Sequence, residues 1–205
     1  MGQDIGGIFS DATFLDDLTA LNDFSGAGCT GLLFERGMLF GSREKWWGGR
    51  GGRPAAHEGL DIRYYRDGCG AVRAFRGRTL VPALAGGAVV RITGDLMGRT
   101  VFVRHEPLLA GMRLFSIYAH VDPAGIVHDG SAVSSGNAIA VIADTAGKKG
   151  SAPPHLHLSL ALVPEDFPPA LLDWKSMGPD SGISFLDPLE RIGTRFEITD
   201  ELMAM

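Results

Sequence analysis

Cysteine is scarce in this chain of 205 residues, which carries only Cys29 and Cys69. Two cysteines are too few for a disulfide scaffold, and they lack the close pairing of a cysteine-ligated zinc site. A single bridge between them stays open, because spacing does not show whether two residues meet. Neither lies in a nucleophile context. Long apolar runs are missing too: apolar residues make up 45% of the chain, yet no run approaches the 18 or so residues that could span a bilayer as a helix. Positive charge is not in excess either. The net charge is −5, and basic residues are scattered apart from a glycine-rich cluster between Arg43 and Arg78, read mainly as loop. No electrostatic footprint for nucleic acid results. The opening "MGQDIGGIFSDATFLDDLTA" has neither the basic start nor the continuous apolar stretch of a secretory signal. The chain therefore reads as cytoplasmic or as trimmed of a leader.

Glycine is plentiful. Its 29 residues are about twice the usual share and mark many turns between short strands. Alternating or short apolar runs occur at "AVRAF", "TLVPAL", "AVVRIT", "TVFVRHE", "RLFSIYAHV", "AIAVIAD" and "HLHLSLALV". Strands thus crowd residues 71–163. Helical spacing is confined to "DATFLDDLTALNDF", with short turns near "PPALLDW" and "LDPLERI". The stretches "EKWWGGRGGRPAAHEGLD" and "PEDFPPALLDWKSMGPDSG" read as irregular loops. The expectation is one all-β domain with an antiparallel, sandwich-like sheet core, few short helices, and an open groove walled by glycine-rich loops.

Six histidines can be weighed singly. In "SAPPHLHLSLALV", strand alternation sets His155, His157, Ser159 and Ala161 on one face and Leu156, Leu158, Leu160 and Leu162 on the other. The leucine face belongs to a core, which leaves two imidazoles on the less apolar face. In "RLFSIYAH", Phe115, Ile117 and Ala119 share one face while Leu114, Ser116, Tyr118 and His120 share the other. In "HEGLD", a turn or bent strand could bring His57 and Asp61 to one metal ion. Zinc accepts both ligand types, and a catalytic zinc site commonly has three protein ligands and a water. His57, Asp61 and one member of the HxH pair would make such a set. Glu58 could suggest an HExxH protease, but Asp61 stands where that motif needs histidine. Glu58 is then only a neighbour, and His128 is a loop residue.

"HEGLD", "YAH" and "PPHLHLSL", in this order and separated by β-rich sequence, resemble the zinc peptidases of the LytM and lysostaphin type, family M23. Members of that family carry HxxxD, a later histidine after Tyr-Ala or a similar pair, and a final HxH usually preceded by Gly-Pro. The resemblance extends over roughly residues 30–190, through "VSSGNAIAVIADTAGKKGSAPPHLHLSL" and the closing "FLDPLERI". It implies a LytM-like duplicated hybrid motif, with residues 1–29 as an N-terminal extension, 30–190 as the peptidase domain and 191–205 as a tail. Carried over by position, it implies that His57, Asp61 and His157 bind one Zn²⁺. His120 and His155 would stand beside the metal-bound water to assist proton transfer and stabilise the oxyanion. His105, in "VFVRHE", would have no metal role. The implied substrate is the peptide part of bacterial cell-wall peptidoglycan, cleaved by an endopeptidase outside the cytoplasm. Two features depart from the pattern. "SAPP" replaces the glycines before HxH, and residues 62–82 are longer than a short link. Two other readings remain at this point, a non-catalytic LytM-like module that regulates wall hydrolases and a histidine phosphocarrier on a similar fold. Oligomeric state is not legible.

Overall fold

The computed structural model describes residues 13–24, 26–48, 51–106, 108–145, 152–190, 192–193, 195–200 and 202. Among the described residues there is one α-helix, α1 (Phe14–Leu21), which starts where Thr13 and Asp16 cap each other reciprocally and buries Phe14, Leu15 and Leu18. Thirteen strands follow: β1 (Cys29–Phe34), β2 (Leu60–Ile62), β3 (Tyr64–Asp67), β4 (Val72–Ala74), β5 (Leu80–Pro82), β6 (Gly87–Gly94), β7 (Arg99–Arg104), β8 (Met112–Asp122), β9 (Ala132–Val133), β10 (Ala138–Ile142), β11 (Leu156–Pro164), β12 (Ser184–Leu186) and β13 (Phe196–Ile198). No helix among the described residues is long and apolar enough to cross a membrane.

The protein is all-β, and its described strands form two sheets. The smaller runs β13-β1-β3-β4 and the larger runs β12-β11-β8-β7-β6-β9, with β2 added beside β11 and the β10–β5 pair beside β8. Every described pairing is antiparallel except β1 with β13. The basic, glycine-rich cluster is mainly loop, as its composition reads, and the short strands β2, β3 and β4 lie inside it. Strands of three or four residues leave little pattern in sequence, and β3 alternates in burial but with Asp67 beside Tyr65 on its buried face, so no apolar period marks it. Strands also extend beyond residues 71–163 at both ends, where β1 and β13 close the small sheet.

The core has two compartments, one on each face of the large sheet. Leu156, Leu158 and Leu160 join Val101, Val103 and Tyr118 with α1 and with Leu32 and Phe34 of the small sheet. On the opposite face, Ala161 and Val163 pack with Phe102, Phe115 and Ile117 under Leu172 and Met177. The histidine face of β11 is therefore not an open, less apolar surface along its whole length. The loop after β11 covers it toward Val163 and leaves only the His157 end facing a groove. Cys29 and Cys69 are both free thiols. Burial pushes the Cys29 thiol up to about 12, so it stays protonated at neutral pH.

Candidate metal centre and its cleft

The strand register brings the two metal motifs together. Asp61 of β2 lies directly opposite His157 of β11, and Ala119 of β8 lies opposite His157 on its other side. His57 reaches the same point from the loop before β2. Its approach depends on Gly59, where an added Cβ would fall 2.5 Å from the Leu158 carbonyl oxygen and 2.5 Å from Ser159 Oγ. Overpacking of this kind typically costs 1–3 kcal/mol, and for a domain of this size each kcal/mol lowers the melting temperature by about 2–4 °C. Gly59→Ala should therefore melt several degrees lower and hold zinc more weakly, both read by calorimetry with and without added zinc.

Three ligand atoms converge. His57 Nε2 lies 3.1 Å from His157 Nδ1 and 3.2 Å from Asp61 Oδ1, and Asp61 Oδ1 lies 2.9 Å from His157 Nδ1. A tetrahedral zinc ion with bonds of about 2.0–2.1 Å would separate its ligands by about 3.3 Å, close to this triangle. The outer atoms of the same side chains have partners of their own. His57 Nδ1–H donates to the Leu39 carbonyl at 3.0 Å, which leaves Nε2 as the lone-pair atom. Ser159 Oγ, 2.9 Å from His157 Nε2, can accept that proton and free Nδ1. Asp61 Oδ2 accepts from Trp46 Nε1 at 2.6 Å and from Arg53 Nη2 at 3.0 Å, so Oδ1 is the oxygen turned inward. Three acceptor atoms at such separations repel one another unless a cation or shared proton lies among them, and this donor set fits zinc. Burial alone would raise the Asp61 carboxyl, but the fields of His57 and His155 and the hydrogen bonds from His155 and His157 outweigh it and hold the group well below the usual range. Burial lowers His157, against the opposing pull of Asp61. A neutral imidazole beside an ionised carboxylate is the protonation state a metal requires.

Two further imidazoles border the triangle. His155 immediately precedes β11 and is therefore not part of the strand itself. Its Nδ1–H donates to the Pro153 carbonyl at 2.7 Å, and its Nε2 lies 3.5 Å from Asp61 Oδ1. Arg63 Nη1 donates to the Pro154 carbonyl at 2.7 Å, so the "APP" approach is clamped from β2's end as well as stiffened by proline. His120 departs from simple alternation. Ala119 shares the face of His157, so a regular strand would turn His120 away. The β7–β8 register shifts at this point, from Val101↔Tyr118 to Arg99↔Val121, which inserts one extra residue into β8. His120 has φ 61°, in the left-handed region. This bulge re-aims the imidazole onto the histidine face, where its ring centroid lies 5.0 Å from His155 and 5.8 Å from His157. Asp95 holds it there, accepting from the His120 backbone N–H at 2.9 Å and lying 3.3 Å from Nδ1. Burial would raise the Asp95 carboxyl, but the hydrogen bonds from the ring and backbone of His120 hold it well below the usual range.

The remaining histidines lie apart. His105 is buried between the Gly86 carbonyl and Ser116 Oγ, each 2.8 Å away, and burial lowers its pKa, keeping it neutral. His128 is exposed. Glu58 lines the cleft but does not join the triangle. Sequence reasoning missed Trp46, Arg53, Arg63, Asp95 and Trp174. The first two lie in a loop that composition marks as irregular. Asp95 hides behind turn chemistry, because its Oδ1 also accepts the N–H groups of Met97 and Gly98 in the β6–β7 hairpin.

Residues 56–166 match the model of peptidase family M23. The chain belongs to that family. Among solved structures, the catalytic domain of lysostaphin from Staphylococcus simulans aligns at 18% identity and TM-score 0.47, covering 76% of this chain and 90% of that domain. A longer lysostaphin chain aligns at 17% identity and TM-score 0.42, covering 69% of this chain and 45% of its own length. Csd3 from Helicobacter pylori aligns at 22% identity and TM-score 0.36, covering 75% of this chain and 36% of its own length. The M23 chain thus spans less than half of these two longer proteins. No curated protein matches it. Four of the five motif positions, Asp61, His120, His155 and His157, line one cleft of about 610 Å³, and His57 lies behind them against His157.

Proposed function

We propose that this M23 chain is a zinc-dependent endopeptidase that hydrolyses peptide bonds in bacterial cell-wall peptidoglycan, acting outside the cytoplasm. The observation that carries the reading is the triangle of His57 Nε2, Asp61 Oδ1 and His157 Nδ1, whose outer atoms are each tied off by a neighbour. Those three residues would hold the ion, which when bound lowers the pKa of a coordinated water and polarises a carbonyl. His155 presents Nε2 to that centre, because Pro153 occupies its Nδ1–H. His120 presents Nε2 in the same way, with Nδ1 turned to Asp95. One can take or return a proton while the other donates to a developing oxyanion. Trp46 stands edge-on to His155 and Trp174 edge-on to His157, at 5.1 Å and 5.4 Å between centroids. These indoles limit water around the imidazoles. The cell-wall assignment draws on the lysostaphin likeness and the family, and the domain limits at 30 and 190 belong to the same proposal.

The test is digestion of purified peptidoglycan with the zinc-loaded protein. New free amino groups without new reducing ends are expected. Reducing ends, or no release at all, would defeat the reading. Asp95 is assigned as a positioning residue acting through His120. Asp95→Asn should keep zinc and the KM for peptide while kcat falls by about ten- to a hundredfold, as measured by steady-state kinetics alongside metal analysis.

A further inference from the structure

The cleft continues past the histidines onto β6, and that part of it has no role in the chemistry above. Thr93 lies opposite Thr100 in the β6–β7 register, and Arg91 lies opposite Phe102. Thr100 Oγ1 donates to Asp95 Oδ2 and accepts from Trp174 Nε1. One row across the sheet therefore runs from Asp61 through His157, Ala119 and Thr100 to Thr93. With strands about 4.8 Å apart, Thr93 lies roughly 14 Å along this row from His157, and Arg91 is one side-chain repeat further along its strand. An extended peptide covers that span in about four residues.

A register shift between Val89 and Arg91 sets both Arg91 and Thr93 on the cleft face, opposite the core-facing Val89 and Ile92. Arg91 Nε and Thr93 Oγ1 are buried and have no hydrogen-bond partner among the described residues. Arg91 makes no ion pair there either. Leaving a donor buried and unpaired is costly, and two of them two residues apart on one strand point to a ligand group with acceptor oxygens. Arg53 and Lys175 are the other cations of the same lining, and Glu58, Asp61, Asp95 and Asp173 are its acidic members. Asp61 is held by Trp46, Arg53 and the histidines, and Asp95 by His120, Thr100 and the N–H groups of its own turn. Asp173 Oδ1 accepts the backbone N–H groups of Ser176 and Lys175 at 2.8 Å each, and these bonds, with a smaller contribution from the Arg91 charge, hold the carboxyl below its ordinary range without a direct ion pair to Arg91. Glu58 belongs to the "HEGLD" segment at the metal side.

Resting on the reading of this cleft as a peptidase groove, we infer that Arg91 and Thr93 form a specificity subsite for a free carboxylate on the substrate peptide, within about four residues of the cleaved bond. The guanidinium offers Nε–H and a neighbouring Nη–H as a planar fork matched to two carboxylate oxygens, and the Thr93 hydroxyl supplies a third donor. A neutral carboxamide at the same place brings a donor pair against these donors and loses the charge. The subsite therefore selects peptides by the state of a carboxyl group and not by side-chain size.

The experiment compares one cross-linked wall peptide in its free-acid form with the same peptide carrying amidated carboxyls. The parent should favour the free acid in kcat/KM by about ten- to a hundredfold. Arg91→Gln should bring the ratio close to one, Arg91→Lys should restore part of it, and Thr93→Val, nearly isosteric, should lower it severalfold. Equal kcat/KM for both peptides in the parent, or an unchanged ratio in Arg91→Gln, overturns the inference. Calorimetric binding of the same two peptides is measured on the same preparations. If nothing is cleaved, the proposed function fails while the subsite still stands or falls on the binding ratio and its loss in Arg91→Gln. Should Arg91→Gln fail to fold, Thr93→Val and Arg91→Lys carry the same comparison.

Discussion

His157→Ala should yield a protein that zinc no longer stabilises and that no longer cleaves peptide. In the parent, a ligand present at a thousand times its dissociation constant stabilises the folded state by about 4 kcal/mol, which at this chain length corresponds to a rise of roughly 8–16 °C in melting temperature. His157 supplies one of three converging atoms, and no other described residue completes a triangle with His57 and Asp61. The variant should show little or none of that rise. A metal centre contributes several kcal/mol to a hydrolytic transition state, so turnover should drop by at least about a thousandfold. Zinc-dependent melting curves and peptide kinetics on the same preparations check both. Retention of the full thermal shift would mean that the ion is held elsewhere.

His120→Ala and His155→Ala should behave differently. Neither removes an atom of the triangle, so each variant should hold zinc as the parent does. Their folds should survive as well. His155 lies before β11, whose Leu156, Leu158 and Leu160 anchor it in the core. His120 sits at a bulge in β8, whose neighbours Ala119 and Val121 are fully buried. The bulge and the bond from the residue-120 N–H to Asp95 are made by backbone, so alanine keeps both. General acid–base help and oxyanion stabilisation are each worth about 10²- to 10⁴-fold, and a loss of at least a hundredfold in kcat is expected for each. Zinc content, melting and turnover measured together separate the outcomes. Lost zinc would make the altered histidine a ligand, and full turnover would remove it from the chemistry.

The parts of the molecule that were legible in the sequence are those where a short period repeats. Leucines at every second position of β11 predict its core face, and residues 14–21 show a helical stripe. The five motif residues stand at spacings that mark them without a structure. What was not legible arises where one residue does two jobs or where elements are too short to show a pattern. His120 faces His157 only because a bulge reverses its side, and alternation carries no trace of an inserted residue. Asp95 reads as a turn aspartate and is one, while its second oxygen holds the His120 backbone. Trp46 and Arg53 fix Asp61 from a glycine-rich loop whose composition conceals any fixed geometry. The parallel β1–β13 pair joins residues over 160 apart in sequence, a distance that no local signal bridges. The loop after β11 reads as irregular from its composition, but its Leu172 and Met177 close the far half of the histidine face. That closure confines the cleft to the end where His155 and His157 lie.

The central claim is that one zinc ion, held by His57, Asp61 and His157, makes this chain a peptidase. The most direct measurement strips the purified protein with a chelator and returns zinc in steps while peptide cleavage is followed. Activity that vanishes on stripping and climbs linearly to a plateau at one zinc per chain is the predicted result. Undiminished cleavage by the stripped protein, or zinc bound at one per chain with no cleavage of wall peptide, would contradict it.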